Sequence, residues 1–150
     1  MFRTASWVVV VLAMAMSACS SVPYAQRVAQ RQAAYAAAAG APVRSFHFYE
    51  LYSWEPLSDG QLAVYTQANR AWLLDVGTCP NLEFANAIGL TSFANEVSMN
   101  FDKVLTGRGY PPCFITKIRP VDVARLKLEQ QAQRKIDAES REQDSVPAGR

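Results

Sequence analysis

The strongest constraint on this chain stands at its start. Ala5 to Met16 (ASWVVVVLAMAM) is an apolar run of twelve residues, preceded by Arg3 and followed by the small residues Ser17 and Ala18. A helix needs about twenty apolar residues to cross the hydrocarbon core, and Ser20, Ser21 and Pro23 interrupt well before that length. A positive start, a short apolar run and small residues make a secretory signal peptide, here assigned to residues 1–18. An uncleaved membrane anchor is the poorer alternative. Export has two consequences: the first eighteen residues take no part in the fold, and the rest matures where thiols oxidise.

The run Met16-Ser17-Ala18-Cys19 resembles the bacterial lipobox, whose cysteine receives a diacylglyceryl group before the signal is cut. Leu is commoner at the first of these positions, and Met16 is an apolar side chain of similar volume. The resemblance implies that Cys19 is the lipid attachment site and the first residue of the mature chain. Each buried CH2 contributes about 0.8 kcal/mol and stable anchoring takes more than one acyl chain, so a lipidated Cys19 holds the protein on a membrane without crossing it. In enterobacterial lipoproteins an Asp after the lipidated cysteine retains the protein in the inner membrane. That position is Ser20 here, so the expected location is the periplasmic leaflet of the outer membrane. An ordinary secreted protein with Cys19 as a free thiol is the competing reading.

Assigning Cys19 to lipid leaves Cys79 and Cys113 as a pair in an oxidising compartment, where a disulfide is the default. Closing a loop of that size stabilises a fold by about 4 kcal/mol on the chain-entropy model. A redox pair or a metal site is the alternative, but the chain has neither a Cys-x-x-Cys motif nor clustered histidines. No metal and no cofactor is expected.

Residues 19–42 are rich in Ala, Gln and Ser, and AQRVAQRQAAYAAAA has high helix propensity, with Gly40 and Pro42 placed to stop it. Its apolar face is mostly methyl groups, so the segment reads as a flexible or transiently helical tether. In the alternative reading Tyr24, Val28 and Tyr35 dock on a partner. At the other end, residues 137–150 read as a polar, disordered tail.

Residues 43–136 are the expected globular unit. Phe46 and Phe48 alternate with Ser45 and His47, and the pattern continues to Trp54. Ser58-Asp59-Gly60 turns the chain into QLAVYT, and RAWLLDV follows a second turn at Gln67 to Asn69. NLEFANAI suits one or two helical turns, with Leu82, Phe84 and Ala85 as contacts. Val97, Met99 and Phe101 alternate with polar residues as a half-wet strand, and Cys113 to Ile118 returns as another. Pro120 is expected to end that strand and open a helix over Val121 to Ala138, with Asp122 at its positive end. Val123, Leu126, Leu128, Ala132 and Ile136 make only a partial apolar stripe, so the start of the helix packs and the rest is solvated. The fold class is mainly β (α+β): a small antiparallel sheet or partly open barrel of five to six strands, a C-terminal helix and one disulfide.

The series Trp54-Glu55-Pro56-Leu57, Trp72-Leu73-Leu74, Cys79-Pro80-x-Leu82, Ile88-Gly89-Leu90-Thr91-Ser92, Phe101-Asp102-x-Val104 and Cys113-x-Ile115-x-x-Ile118-Arg119-Pro120-Val121-Asp122 resembles a family of small proteobacterial lipoproteins catalogued as domain of unknown function 6491. The match covers about residues 43 to 125. It implies a shared compartment and fold and lends no activity, so no catalytic residue is carried over.

Candidates for chemistry are few. His47 is the one histidine, and it stands on an expected strand without a recognisable nucleophile elbow. Glu50 with Glu55 or Asp102 is a conceivable glycosidase pair, against the plainer reading of solvated acids at strand edges. Arg119 and Asp122 are a candidate surface ion pair. Fifteen Lys and Arg against thirteen Asp and Glu are too balanced and scattered to track phosphates, so nucleic acid is not an expected partner. The densest feature is aromatic: Phe46, Phe48, Tyr49, Tyr52 and Trp54 fall within nine residues. Such side chains either build a core or expose a platform for a glycan or envelope protein. Tyr49, Tyr52 and Trp54 are therefore the candidate binding surface. The functional expectation is a lipid-anchored, non-catalytic periplasmic protein serving binding or cell-envelope maintenance. A small hydrolase acting on wall or lipid fragments is the alternative, and an inert spacer is the third reading.

Overall fold

The computed structural model describes residues 23–145. The expected signal peptide, Cys19 and the end of the expected tail, 146–150, lie outside the described residues. Helix α1 (Tyr24–Ala38) leads into eight strands: β1 (Ser45–His47), β2 (Ser53–Ser58), β3 (Gln61–Gln67), β4 (Arg70–Val76), β5 (Gly89–Leu90), β6 (Glu96–Ser98), β7 (Lys103–Leu105) and β8 (Cys113–Val121). Helix α2 (Val123–Ser145) closes the sequence. Six strands form one curled antiparallel sheet, a half-barrel of order β2-β3-β4-β8-β7-β5, and β1 pairs with β6 in a separate two-stranded ribbon.

Period-2 alternation gives the sheet two apolar faces. On the inner one, Leu62, Val64, Leu74, Val76, Ile115 and Ile118 pack with Phe46, Val97 and Val104. Phe46 stacks on Trp72 with ring centroids 4.8 Å apart. On the outer one, Leu57, Ala63, Ala71, Leu73 and Val121 pack beneath the two helices. Cys79 and Cys113 are joined, with Cα atoms 5.6 Å apart, and this bridge ties the chain leaving β4 to the start of β8.

Five local expectations change in three dimensions. The Ala-rich segment is a helix whose second half is built into the domain, with Ala34, Tyr35 and Ala38 buried against the outer face. Its methyl groups are the reason: they let the helix backbone lie close to the sheet, and Tyr35 fills the remaining space. Beyond α1 the chain runs along β8, where Gly40 N–H donates to the Pro120 carbonyl at 2.8 Å. A Cβ on Gly40 would meet Pro120 Cγ at 3.2 Å, so the close approach favours glycine.

Pro120 stays inside β8, opposite Trp72, rather than ending the strand. The helix starts three residues later, where Asp122 Oδ1 accepts the Arg125 N–H at 3.0 Å as an N-cap. Next, the Val97-Met99-Phe101 alternation breaks. Asn100 takes φ 66°, Asp102 N–H donates back to the Ser98 carbonyl, and Phe101 is thrown into solvent. Phe84 is exposed as well, at the end of a single 3-10 turn (Leu82–Phe84) that buries Leu82 alone. Finally, α2 continues through the first part of the expected tail to Ser145. Val123 and Leu126 are buried while Leu128 and Ile136 are exposed, the half-packed helix that its partial stripe implies.

Candidate functional site

The polar groups of the outer face converge where the first half of α1 leaves the sheet. Tyr35 has no exposed surface, and its hydroxyl lies 2.7 Å from both Glu55 Oε2 on β2 and the Tyr65 hydroxyl on β3. A phenol has one proton to give. Tyr35 donates it to the carboxylate, so Tyr65 donates to Tyr35. Glu55 Oε1 in turn accepts Arg31 Nη1 at 3.2 Å. Burial raises the Tyr35 hydroxyl above the ordinary tyrosine range, and its hydrogen bonds to Tyr65 and Glu55 push the same way. Tyr65 is also raised, first by burial and then by the Glu55 charge, while its bond to Tyr35 works in the opposite sense. The four side chains form one chain of hydrogen bonds from the sheet to Arg31.

Arg31 belongs to the wall of a cleft. Tyr24, Arg27, Gln30, Arg31 and Ala34 recur at helical spacing along one face of α1. Gln130, Gln133 and Arg134 face them from α2, and together they enclose about 480 Å³. That volume is in the range of small-molecule sites. Asp137 Oδ1, outside the lining, ties the two helices together by accepting the amides of Gln30 at 3.4 Å and Gln133 at 3.1 Å. The lining carries three guanidinium groups and no carboxylate. Arg31 is paired to Glu55, and its Nε is enclosed without an acceptor. Arg27 and Arg134 form no ion pair among the described residues.

The expected site residues are distributed differently. Trp54 is half-buried against the inner core, whereas Tyr49 and Tyr52 are 78% and 64% exposed. No ring contact joins these three; the aromatic contacts of this region run from Phe46 to Phe48 and to Trp72. His47 is exposed at the end of β1. Among the candidate acids, Glu50 is exposed and Glu55 belongs to the tyrosine network. Asp102 is buried, where it accepts the Thr91 hydroxyl and the Ser98 N–H, both at 2.7 Å. Thr91 also accepts the Lys103 N–H at 2.9 Å, so two of the sequence's distinctive segments meet as a structural knot. Arg119 pairs with Asp75 at 3.0 Å, not with Asp122; Asp75 lies beside it across the β4–β8 ladder, while Asp122 is engaged as the cap.

The cleft was not foreseen. Arg27 and Arg31 at i, i+4 beneath Tyr24 were a readable half of it. The other half required knowing that Gln130 and Arg134, a hundred residues later, lie alongside. Among the described residues no three His, Cys, Asp or Glu side chains group as metal ligands would, and no helix is long and apolar enough to cross a membrane.

Neither a curated protein nor a solved structure matches this chain. A family model does, over residues 1–137, and so takes in α1 and much of α2 as well as the sheet. The chain therefore belongs to the Family of unknown function (DUF6491).

Proposed function

We propose that the protein is a lipid-anchored envelope protein, acylated at Cys19 and held on the periplasmic leaflet of the outer membrane, that acts by binding rather than by catalysis. The cleft between α1 and α2 carries this reading, because two of its arginines have no carboxylate partner among the described residues and a third has an enclosed donor without an acceptor. Native proteins rarely leave buried donors unpaired without a reason. The anchor reading rests on Met16-Ser17-Ala18-Cys19 and the apolar run before it. It also fits the position of the cleft. Four residues lie between Cys19 and Tyr24, so even a fully extended chain keeps the start of α1 within about 18 Å of the acylated cysteine.

The test is the intact mass of the full-length protein recovered from the membrane fraction of a bacterial host. The expected species lacks residues 1–18 and carries acyl chains on Cys19, and Cys19→Ala should abolish both the acylation and the cut at residue 18. An unacylated mature chain in the soluble fraction overturns the anchor.

A further inference from the structure

We infer that the α1–α2 cleft binds a phosphate-bearing ligand, the phosphoryl group being held by Arg27, Arg31 and Arg134. This deepens the binding reading above and rests on it. The guanidinium group is a planar fork of donors suited to oxyanions, and charge-assisted hydrogen bonds of this kind are the strong ones. Three such groups lining one cleft, two from α1 and one from α2, exceed what a single carboxylate can engage, whereas a tetrahedral phosphate has oxygens for all of them. Arg31 is already oriented: Glu55 holds Nη1, Tyr35 holds Glu55, and Tyr65 holds Tyr35. Its Nε is enclosed without an acceptor, but the side chain as a whole is 41% exposed, which leaves its outer surface open to a ligand oxygen. The two acids that touch the lining are both engaged, Glu55 by Arg31 and Tyr35 and Asp137 by Gln30 and Gln133, so neither neutralises Arg27 or Arg134.

The rest of the cleft describes what the phosphate is attached to. About 480 Å³ is several times the volume of a bare phosphate, and the remaining lining is Gln30, Gln130, Gln133 and the Tyr24 ring. Amides and an exposed ring suit a hydroxylated group such as glycerol. Two sources share this chemistry: a phospholipid headgroup at the membrane surface and a free phosphate ester.

The experiment uses the full-length chain produced in a bacterial host and purified in dodecyl maltoside. Two probes are titrated by calorimetry at low and high salt: dihexanoyl phosphatidylglycerol and glycerol 3-phosphate. Saturable binding of at least one is expected, weakened by salt. The double variant Arg27→Gln with Arg134→Gln should lose about tenfold or more in affinity, since each lost contact to a charged group is worth about that much. Arg125→Gln, in the i, i+4 pair with Glu129 outside the cleft, should bind as the parent does. Arg27 and Arg134 are exposed, so the double variant should keep the parent's unfolding midpoint. Preference for the lipid assigns the membrane headgroup, and equal binding of both probes assigns a soluble phosphate ester; either upholds the site. No saturable binding of either probe, or binding that the double variant leaves unchanged, overturns it. The intact mass of the same preparation separates the two readings, because a cleft that binds on an unacylated chain refutes the anchor alone.

Discussion

The two faces of the sheet are built from different materials. The inner face is aliphatic and aromatic throughout, with Leu62, Val64, Leu74 and Ile118 under a stacked Phe46–Trp72 pair, and it is closed by the disulfide. The outer face is thinner. Ala63 and Ala71 of the sheet share one cluster with Ala34 and Ala38 of α1, and next to them the polar chain Tyr65–Tyr35–Glu55–Arg31 leads out to the cleft. Small side chains bring helix and sheet close, and the polar residues beyond them are then held in fixed positions. The inner face is therefore a continuous apolar core closed by the disulfide, and the outer face places the groups that can meet a ligand.

The sharpest way to break this division is to open the disulfide. Cys79→Ala with Cys113→Ala should lower the unfolding free energy by about 4 kcal/mol, read from urea unfolding, while leaving the cleft arginines in place in the folded fraction. Next comes the inner core. Leu74 is fully buried, and Leu74→Ala should cost about 3 kcal/mol. Leu128→Ala, on the exposed side of α2, should change stability by less than about 0.5 kcal/mol. If the two leucines proved equal, α2 would have a packing partner that its exposure denies. A smaller loss, about 2 kcal/mol, is expected for Asp102→Ala, which strips the acceptor from the Thr91 hydroxyl and the Ser98 N–H. Hydrogen exchange should show that loss around Ser98 to Lys103 and not in α1.

Much of the inner face was legible because it obeys local rules. Ser58-Asp59-Gly60 and the alternation of QLAVYT with RAWLLDV define a hairpin without reference to anything distant, and cysteine arithmetic paired Cys79 with Cys113. Local rules failed where a tertiary bond overrode them. Phe101 continues a period-2 pattern, yet the Ser98–Asp102 turn, fixed by the buried Asp102 carboxylate, takes it out of register. Pro120 reads as a strand end, but the missing N–H costs little where its carbonyl is used by Gly40. The outer face was the less legible of the two. A run of alanines looks incapable of packing until it shares a cluster with Leu57, Leu73, Val121 and Leu126, and Arg27, Arg31 and Arg134 become neighbours only once α1 and α2 are laid together.

The tyrosine network gives the comparison a pH dependence that the inner face lacks. Burial and its partners hold the Tyr35 hydroxyl protonated in the folded protein at pH values where a free tyrosine ionises, and a free tyrosine does so near pH 10. Below that pH both states carry the proton and the network contributes fully. Above it the unfolded chain releases a proton that the folded chain keeps, so the unfolded state binds fewer protons and stability falls as pH rises. The slope for one such group is about 1.4 kcal/mol per pH unit, with Tyr65 adding in the same direction because it too is raised. Urea unfolding at pH 9, 10 and 11 should show this decline in the parent protein. Tyr35→Phe should unfold more readily at pH 9, since Glu55 and Tyr65 each lose a partner, and should show a visibly shallower decline between pH 10 and 11. Parallel curves for the two proteins would mean that Tyr35 ionises freely when folded, and that the hydrogen-bonded chain does not hold Arg31 in place.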